Sequence, residues 1–106
     1  MAVLTFAAID IGSYNVAIEI FQISRKTGLK SLDYVDYRME LGKDTYAEGR
    51  ISNEMVKELC SVLNDYKRIM AEYQVTDYRV CATSALREAQ NVEIILGKIY
   101  QNTGMK

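Results

Sequence analysis

An almost continuous apolar run near the amino terminus is the feature that most constrains this chain. Residues 3–11 read VLTFAAIDI, which is mostly small or β-branched and contains a single carboxylate, Asp10. Such a run is typical of a strand buried on both faces, as in the middle of an α/β sheet. Gly12 and Ser13 then interrupt it. We therefore expect a central strand that ends in a turn with polar groups beside it.

The next segments predict an antiparallel meander followed by a loop. Residues 16–21 alternate between apolar and mixed positions, as in a strand with two unequal faces, and residues 24–28 (SRKTG) supply a turn. A third strand is expected at about residues 29–38. Residues 41–50 (LGKDTYAEGR) have two glycines, four charges and no apolar period, which predicts a loop.

The second half of the chain predicts helix, strand, helix. Ser52 is a candidate N-cap for an amphipathic helix of about six turns that ends near Tyr73. Residues 77–83 form a short strand in this prediction, and a second helix begins at Asn91 and ends at Gly104. The fold class is α/β. Because a further parallel strand should follow the last helix, residues 1–106 are expected to be a single, truncated domain.

Composition excludes several classes of function. The chain has 106 residues, no histidine and a net charge of −1. Catalysis and zinc binding through histidine are excluded, and no bulk charge attracts nucleic acid or an anionic membrane. The first residues lack the basic region that a signal peptide has, and Cys60 and Cys81 are expected to be inert core thiols in a reducing compartment, so the expected location is the cytoplasm. The basic residues between Lys57 and Arg68 alternate with acids, which indicates a solvated helix face.

The segment Asp10-Ile11-Gly12-Ser13 is the first candidate site. Burying a carboxylate at the end of a strand costs free energy unless the group has a functional role or is paired. Gly12 allows backbone N–H groups to come close to a ligand. Such a turn can hold a phosphate. The alternative is a simple hairpin in which Asp10 caps its own backbone.

The second candidate site is residues 82–91, ATSALREAQN, between the fourth strand and the last helix. Thr83, Ser84 and Arg87 offer hydrogen-bond donors at the carboxyl end of the strand, where open α/β sheets bind their ligands. The Arg87 guanidinium can donate in parallel to phosphate oxygens. The alternative is that Arg87 pairs with Glu88 or Asp77 and that Asn91 is only an N-cap.

Taken together, FAAIDIGS at residues 6–13 and ATSALREAQN at residues 82–91 resemble the amino-terminal part of the exopolyphosphatase/guanosine pentaphosphate phosphohydrolase family. The resemblance covers essentially the whole chain. The second segment is the more specific, because the first is shared with the wider group of actin, sugar kinase and heat-shock chaperone ATPases.

The resemblance implies a ribonuclease H-like fold and a metal-assisted hydrolase that removes terminal phosphate from polyphosphate or guanosine pentaphosphate, with Mg²⁺ as the ion. By the same resemblance, Asp10 would hold the metal or orient water, and Gly12 and Ser13 would line the phosphate loop. Residues of the second segment would complete the site: Arg87 in contact with phosphate, and Thr83, Ser84 and Asn91 in the floor of the pocket. Mg²⁺ prefers oxygen ligands and needs no histidine.

Two departures from the family leave alternatives open. After Gly-Ser, family members usually continue with Asn-Ser, a hydrophobic residue and often Arg, whereas residues 14–17 here are YNVA. The family's catalytic glutamate and second glycine-rich loop lie beyond the point matching Lys106, so this chain is expected to be inactive alone. A non-catalytic sensor of guanosine tetraphosphate or phosphate is the first alternative, and an actin-like or sugar-kinase-like ATPase lobe is the second.

Apolar surface left by truncation predicts a homodimer.

Overall fold

The computed structural model of the chain describes residues 3–105, apart from the side chains of residues 84 and 85. Within these described residues there are four strands and four helices. Their bounds are β1 Leu4–Ile11, β2 Asn15–Ser24, β3 Gly28–Arg38, α1 Leu41–Glu48, α2 Asn53–Glu72, β4 Asp77–Ala82, α3 Ser84–Arg87 and α4 Val92–Thr103.

The four strands form one sheet in the order β3-β2-β1-β4. β1 pairs antiparallel with β2, and β2 pairs antiparallel with β3. The predicted meander is therefore confirmed, and β4 returns after α2 to pair parallel with β1. The carboxyl ends of β1 and β4 consequently lie at the same edge of the sheet.

The helices cover only one face of this sheet. In β1, Ala7, Ile9 and Ile11 are buried, whereas Ala8 and Asp10 are exposed. The expectation of a strand buried on both faces was therefore wrong in this structure, although the residues on the covered side do form the core. The apolar run concealed an alternation because small alanines occupy both faces.

The two cysteines differ in burial. Cys60 is buried, as expected, but Cys81 is exposed. β4 alternates along its length between exposed and half-buried residues, and position 81 falls on the open face of the sheet. The prediction of a core thiol at Cys81 was therefore wrong, because it assumed a β4 covered on both sides.

The long helix α2 agrees with its prediction. The Ser52 hydroxyl accepts a hydrogen bond from the Met55 N–H at 3.2 Å, as an N-cap does. The 20 residues that follow make between five and six turns. Their apolar stripe faces the sheet, and the Tyr66 hydroxyl donates to the Val16 carbonyl at 2.5 Å. This bond joins the middle of α2 to the start of β2.

A short helix, α1, occupies most of the segment that was predicted as a loop. Leu41, Gly42 and Thr45 are its buried residues. Gly49 ends it in the left-handed conformation, with its N–H donating to the Thr45 carbonyl. The prediction was wrong because a glycine and a threonine take two of the three buried positions, so the segment has no apolar period.

The carboxyl-terminal elements follow the prediction with one addition. β4 ends at Ala82, one residue earlier than expected, and the single turn α3 comes before α4. Asn91 precedes α4, and Gly104 ends it in the left-handed conformation, as predicted. None of the helices in residues 3–105 is long and apolar enough to cross a membrane.

Candidate functional site

The two candidate segments lie side by side at the carboxyl edge of β1 and β4. Asp10 is the register partner of Cys81, and Ile11 is the partner of Ala82. Beyond the last pair, the Thr83 N–H donates to the Ile11 carbonyl at 3.0 Å. The Thr83 hydroxyl donates to the same oxygen at 3.4 Å. Parallel pairing therefore joins the turn after β1 directly to the segment after β4.

The turn after β1 is a tight hairpin, which we call the β1–β2 loop (residues 12–15). The Gly12 N–H donates to the Asn15 carbonyl at 2.8 Å, so this amide is already used within the turn. A Cβ on Gly12 would lie 3.1 Å from Asn15 Oδ1 and 3.2 Å from its carbonyl oxygen. A side chain at position 12 would therefore be crowded by Asn15, so glycine suits this tight turn.

At Ser13 and Tyr14, in the middle of the β1–β2 loop, the backbone carbonyls are occupied and the amides are free. The Ser13 carbonyl accepts from the Gly42 N–H at 2.8 Å, and the Tyr14 carbonyl accepts from the Met39 N–H at 2.9 Å. Within the described residues, the N–H groups of Ser13 and Tyr14 donate to no acceptor. Two adjacent unpaired amides in a turn are an arrangement that binds anions.

α1 holds this loop in place, and sequence reasoning missed its contribution. A Cβ on Gly42 would lie 3.0 Å from Ser13 Cβ and 3.0 Å from a ring carbon of Tyr46. The Ser13 and Tyr46 hydroxyls lie 3.4 Å apart, within hydrogen-bond distance. Gly42 thus allows the first turn of α1 to pack directly against the loop. The only sequence signal for this was a glycine in a segment that otherwise contained no element.

Asp10 lies on the open face of the sheet, next to this edge. Its carboxylate makes no hydrogen bond and no ion pair within the described residues, so the alternative in which it caps its own backbone is wrong. Asp36 occupies the same row of the sheet, two strands away, but it accepts from Asn15 Nδ2 at 2.7 Å. Asp10 is the carboxylate of this row that is left for a ligand.

Arg87 is exposed at the end of α3, between the buried Leu86 and Ala89. It forms no ion pair in the described part of the chain, so the pairing with Glu88 or Asp77 is not found. Its guanidinium is also not within ion-pair distance of the Asp10 carboxylate. Thr83 is exposed, and the side chain of Ser84 lies outside the described residues.

The Asn91 side chain bonds to the connection between α1 and α2 rather than to its own helix. Its Oδ1 accepts from the Ile51 N–H at 3.1 Å, and its Nδ2 donates to the Ile51 carbonyl at 2.8 Å. It makes no side-chain cap bond to α4, so the N-cap alternative is wrong. Ile51 is fully buried in the connection between α1 and α2. Asn91 thereby joins the second segment to the helices that support the first.

At this edge of the sheet, Asp10 is the carboxylate that could bind Mg²⁺. No group of three or more His, Cys, Asp or Glu residues lies together in residues 3–105. Mg²⁺ is commonly held through one or two carboxylates together with water and substrate phosphates. Asp10 could supply one carboxylate ligand, and the remaining oxygen ligands would come from water and from the phosphate compound.

The sequence model of the Ppx/GppA phosphatase family matches residues 20–106. Exopolyphosphatase 1 of Mycobacterium tuberculosis is 22% identical over 103 residues, which cover 97% of this chain and 30% of that protein. Retrograde regulation protein 2 of Saccharomyces cerevisiae is 33% identical over 72 residues, covering 66% of this chain and 12% of that protein.

Among solved structures, a Ppx/GppA family member of Aquifex aeolicus is similar to this chain with a TM-score of 0.92 and 31% identity. The similarity covers 98% of this chain and 34% of that one, so the chain spans about a third of the solved relative. It confirms the predicted fold class, an α/β lobe of the ribonuclease H-like, actin-type kind. This chain belongs to the Ppx/GppA phosphatase family.

Proposed function

We propose that this chain forms the phosphate-binding lobe of a cytoplasmic phosphohydrolase that acts on polyphosphate or guanosine pentaphosphate. The observation that supports it best is the pair of unpaired amides at Ser13 and Tyr14, held beside the end of β4. The family, and a relative named exopolyphosphatase, point to the same chemistry.

In this proposal the residues of the edge divide the work. The N–H groups of the β1–β2 loop donate to oxygens of the terminal phosphate, and the Gly12 turn sets their position. Arg87 supplies positive charge and a planar pair of donors to the same group. Thr83 and Ser84 close the floor of the pocket. Asn91 acts as a positioning residue, because its amide is engaged with Ile51.

Asp10 is the proposed metal ligand. When bound, Mg²⁺ supplies charge neutralisation and orientation at the phosphate oxygens. The Asp10 carboxylate also accepts a hydrogen bond from a water molecule on the open face of the sheet and orients it. Asp36, the other carboxylate of this row, lies two strands away and accepts a hydrogen bond from Asn15, so it is not placed to remove a proton from that water. We therefore expect the 106-residue chain to bind phosphate compounds without turning them over.

Binding and phosphate release should be measured separately, with Mg²⁺, using polyphosphate and guanosine pentaphosphate. The 106-residue chain should bind and release no phosphate, whereas a longer chain of the same protein should do both. Arg87→Gln should weaken binding by about tenfold, in keeping with the loss of a charge-assisted contact. Arg25→Gln, which removes an exposed charge in the turn after β2, is the matched control. Equal effects of the two variants would contradict the assigned role of Arg87.

A non-catalytic sensor of guanosine tetraphosphate or phosphate is the second candidate. It is favoured by the similarity to a yeast protein named for regulation and by residues 14–17, where a tyrosine and an alanine replace smaller and basic residues of the family. Tight binding of guanosine tetraphosphate by the longer chain, with no phosphate release from any substrate, would establish this function instead.

A further inference from the structure

A polar groove lies between α2 and α4, on the outside of the helical layer. It has a volume of about 410 Å³, and we call it the α2–α4 groove. The residues of its wall that carry charge or amide donors are Lys57, Asn64, Asp65, Arg68, Lys98 and Asn102. Three cationic side chains thus face one carboxylate, in a chain whose own net charge is −1.

The charges of the groove are only partly compensated. Arg68 pairs with Asp65, one turn before it on α2. Within the described residues, Lys57 and Lys98 form no ion pair. Lys98 is half-buried as a residue and has no carboxylate within ion-pair distance. An anion in the groove would supply the missing partner.

The charge of Lys98 affects the pKa of the buried Cys60 thiol. Burial raises the pKa of Cys60, and the charge of Lys98 opposes that rise. Lys98 of α4 therefore lies close to Cys60 of α2, which places a cation from the second helix near the Lys57 end of the groove. This contribution from α4 could not be expected from the α2 sequence, whose basic residues alone indicate a solvated face.

The groove is elongated along α2. Residues 57, 61, 64 and 68 repeat at steps of four, three and four, so they form one stripe on the helix. Eleven residues of α-helix separate Lys57 from Arg68 by about 16 Å along the axis. Lys98 and Asn102 line the opposite wall one turn apart, and Asn64 Nδ2 donates to the Asn102 carbonyl at 3.4 Å. Such a shape fits a linear anion better than a compact one.

We propose that the α2–α4 groove binds a linear oligophosphate, at a site separate from the β1–β2 loop. Oligophosphates carry charge along their whole length, which matches cations at both ends of a long groove. Arginine and lysine together with amide donors are suitable partners for their oxygens. The groove uses neither Asp10 nor Arg87, so the inference goes beyond the proposed function and does not depend on it.

The test is a titration of the 106-residue chain with sodium tripolyphosphate, without Mg²⁺. Calorimetry measures the affinity, and amide chemical shifts show which residues are affected. Tripolyphosphate should shift the amide resonances of residues 57–68 and 98–102. The double variant Lys57→Gln/Lys98→Gln should bind about tenfold more weakly at this site. The matched double variant Lys26→Gln/Lys30→Gln removes two exposed charges outside the groove and should bind as the unchanged chain does. Added salt should weaken binding, because the contacts are partly exposed.

Three results would overturn the inference. The first is equal affinity in the two double variants. The second is a set of shifts confined to residues 12–15 and 83–87, which would leave only the site of the proposed function. The third is equally tight binding of orthophosphate or citrate, since neither is a linear oligophosphate. Loss of the loop shifts in Arg87→Gln, with the groove shifts retained, would support two separate sites.

Discussion

Single side chains hold the backbone segments that frame the candidate site. Tyr66 joins α2 to the start of β2 through the Val16 carbonyl, and Asn91 joins the second segment to Ile51 through both atoms of its amide. Both side chains bond to backbone groups far away in sequence. At the residue scale, therefore, the stability of the site region depends on long-range contacts that the neighbouring sequence does not predict.

The Tyr66 hydroxyl predicts a loss of stability in alkali. Burial, followed by the charge of Asp36, raises the pKa of Tyr66 to about 12, from an ordinary value of 10.0. Above pH 10 the unfolded chain loses this proton while the folded chain keeps it. The contribution of Tyr66 to the free energy of unfolding is therefore complete below pH 10, and it falls by up to about 1.4 kcal/mol per pH unit as the pH rises toward 12.

Tyr66→Phe tests this contribution. The variant should lose about 1 kcal/mol at pH 7, because the hydrogen bond to Val16 is gone. Its free energy of unfolding should then fall less steeply between pH 9 and pH 11 than that of the unchanged chain. Urea unfolding at a series of pH values gives both quantities, and parallel pH profiles would contradict the role assigned to Tyr66.

Asn91→Asp should destabilise the chain by about 1 to 3 kcal/mol. The substitution removes the donor to the Ile51 carbonyl and brings a carboxylate close to that oxygen, in a partly buried place. Asn53→Asp is the matched control, since this exposed residue lies in the first turn of α2, where a negative charge is favourable. Unfolding of both variants at the same urea concentration would show that the Asn91 amide has no structural role.

At the element scale, α1 is the piece that completes the loop region. The amide of its second residue, Gly42, bonds to the Ser13 carbonyl, and its first turn packs against the Ser13 side chain. Its end at Gly49 also contacts the second segment, because the Gln90 N–H donates to the Gly49 carbonyl at 2.8 Å. One short helix therefore contacts both halves of the candidate site.

Two helical glycines give opposite predictions for the same change. Gly97 lies within α4, and a Cβ there would meet no atom within 4 Å, so Gly97→Ala should stabilise the chain by about 0.5 to 1 kcal/mol. Gly42→Ala should lower stability and weaken phosphate binding, because its Cβ would be forced against Ser13 and Tyr46. Thermal unfolding and phosphate titration of the two variants check this. A stabilised Gly42→Ala that binds normally would show that the contact with α1 does not hold the loop.

At the scale of the whole molecule, an apolar surface lies beside the edge strand β4. A groove of about 420 Å³ is lined by Leu96, Gly97, Ile99, Tyr100 and Met105. Leu96 is 52% exposed, and among the strands of residues 3–105, β4 has a neighbour on one side only. Exposed apolar surface next to an open sheet edge favours association.

We expect the 106-residue chain to self-associate through this surface at high concentration, in keeping with the homodimer expected from the sequence. Leu96→Glu should shift the chain toward monomer, because a carboxylate would be buried in the contact. Leu29→Glu, at another exposed leucine on β3, should leave association unchanged. Sedimentation velocity across a range of concentrations measures both variants, and a strict monomer at every concentration would contradict the prediction.

Local chemistry in the sequence was enough to predict most of the fold. The periods of β2 and α2, the N-cap at Ser52 and the stop at Gly104 depend on neighbours in the chain, so they could be read without the structure. The two candidate segments were also found in this way, and the parallel pairing of β1 with β4 places them at one edge. Their individual roles stay predictions.

What only the tertiary structure decided depends on contacts between distant segments. The sequence of 41–50 has no apolar period, yet packing against Ser13 makes a helix of it. Cys81 lies in a strand of the sheet but is exposed, because the helices cover one face of the sheet and position 81 is on the other. Asn91 resembled a cap, but its amide bonds to Ile51, forty residues earlier. Periodicity reports a residue's own element, whereas burial and hydrogen-bond partners are set by whatever element packs against it.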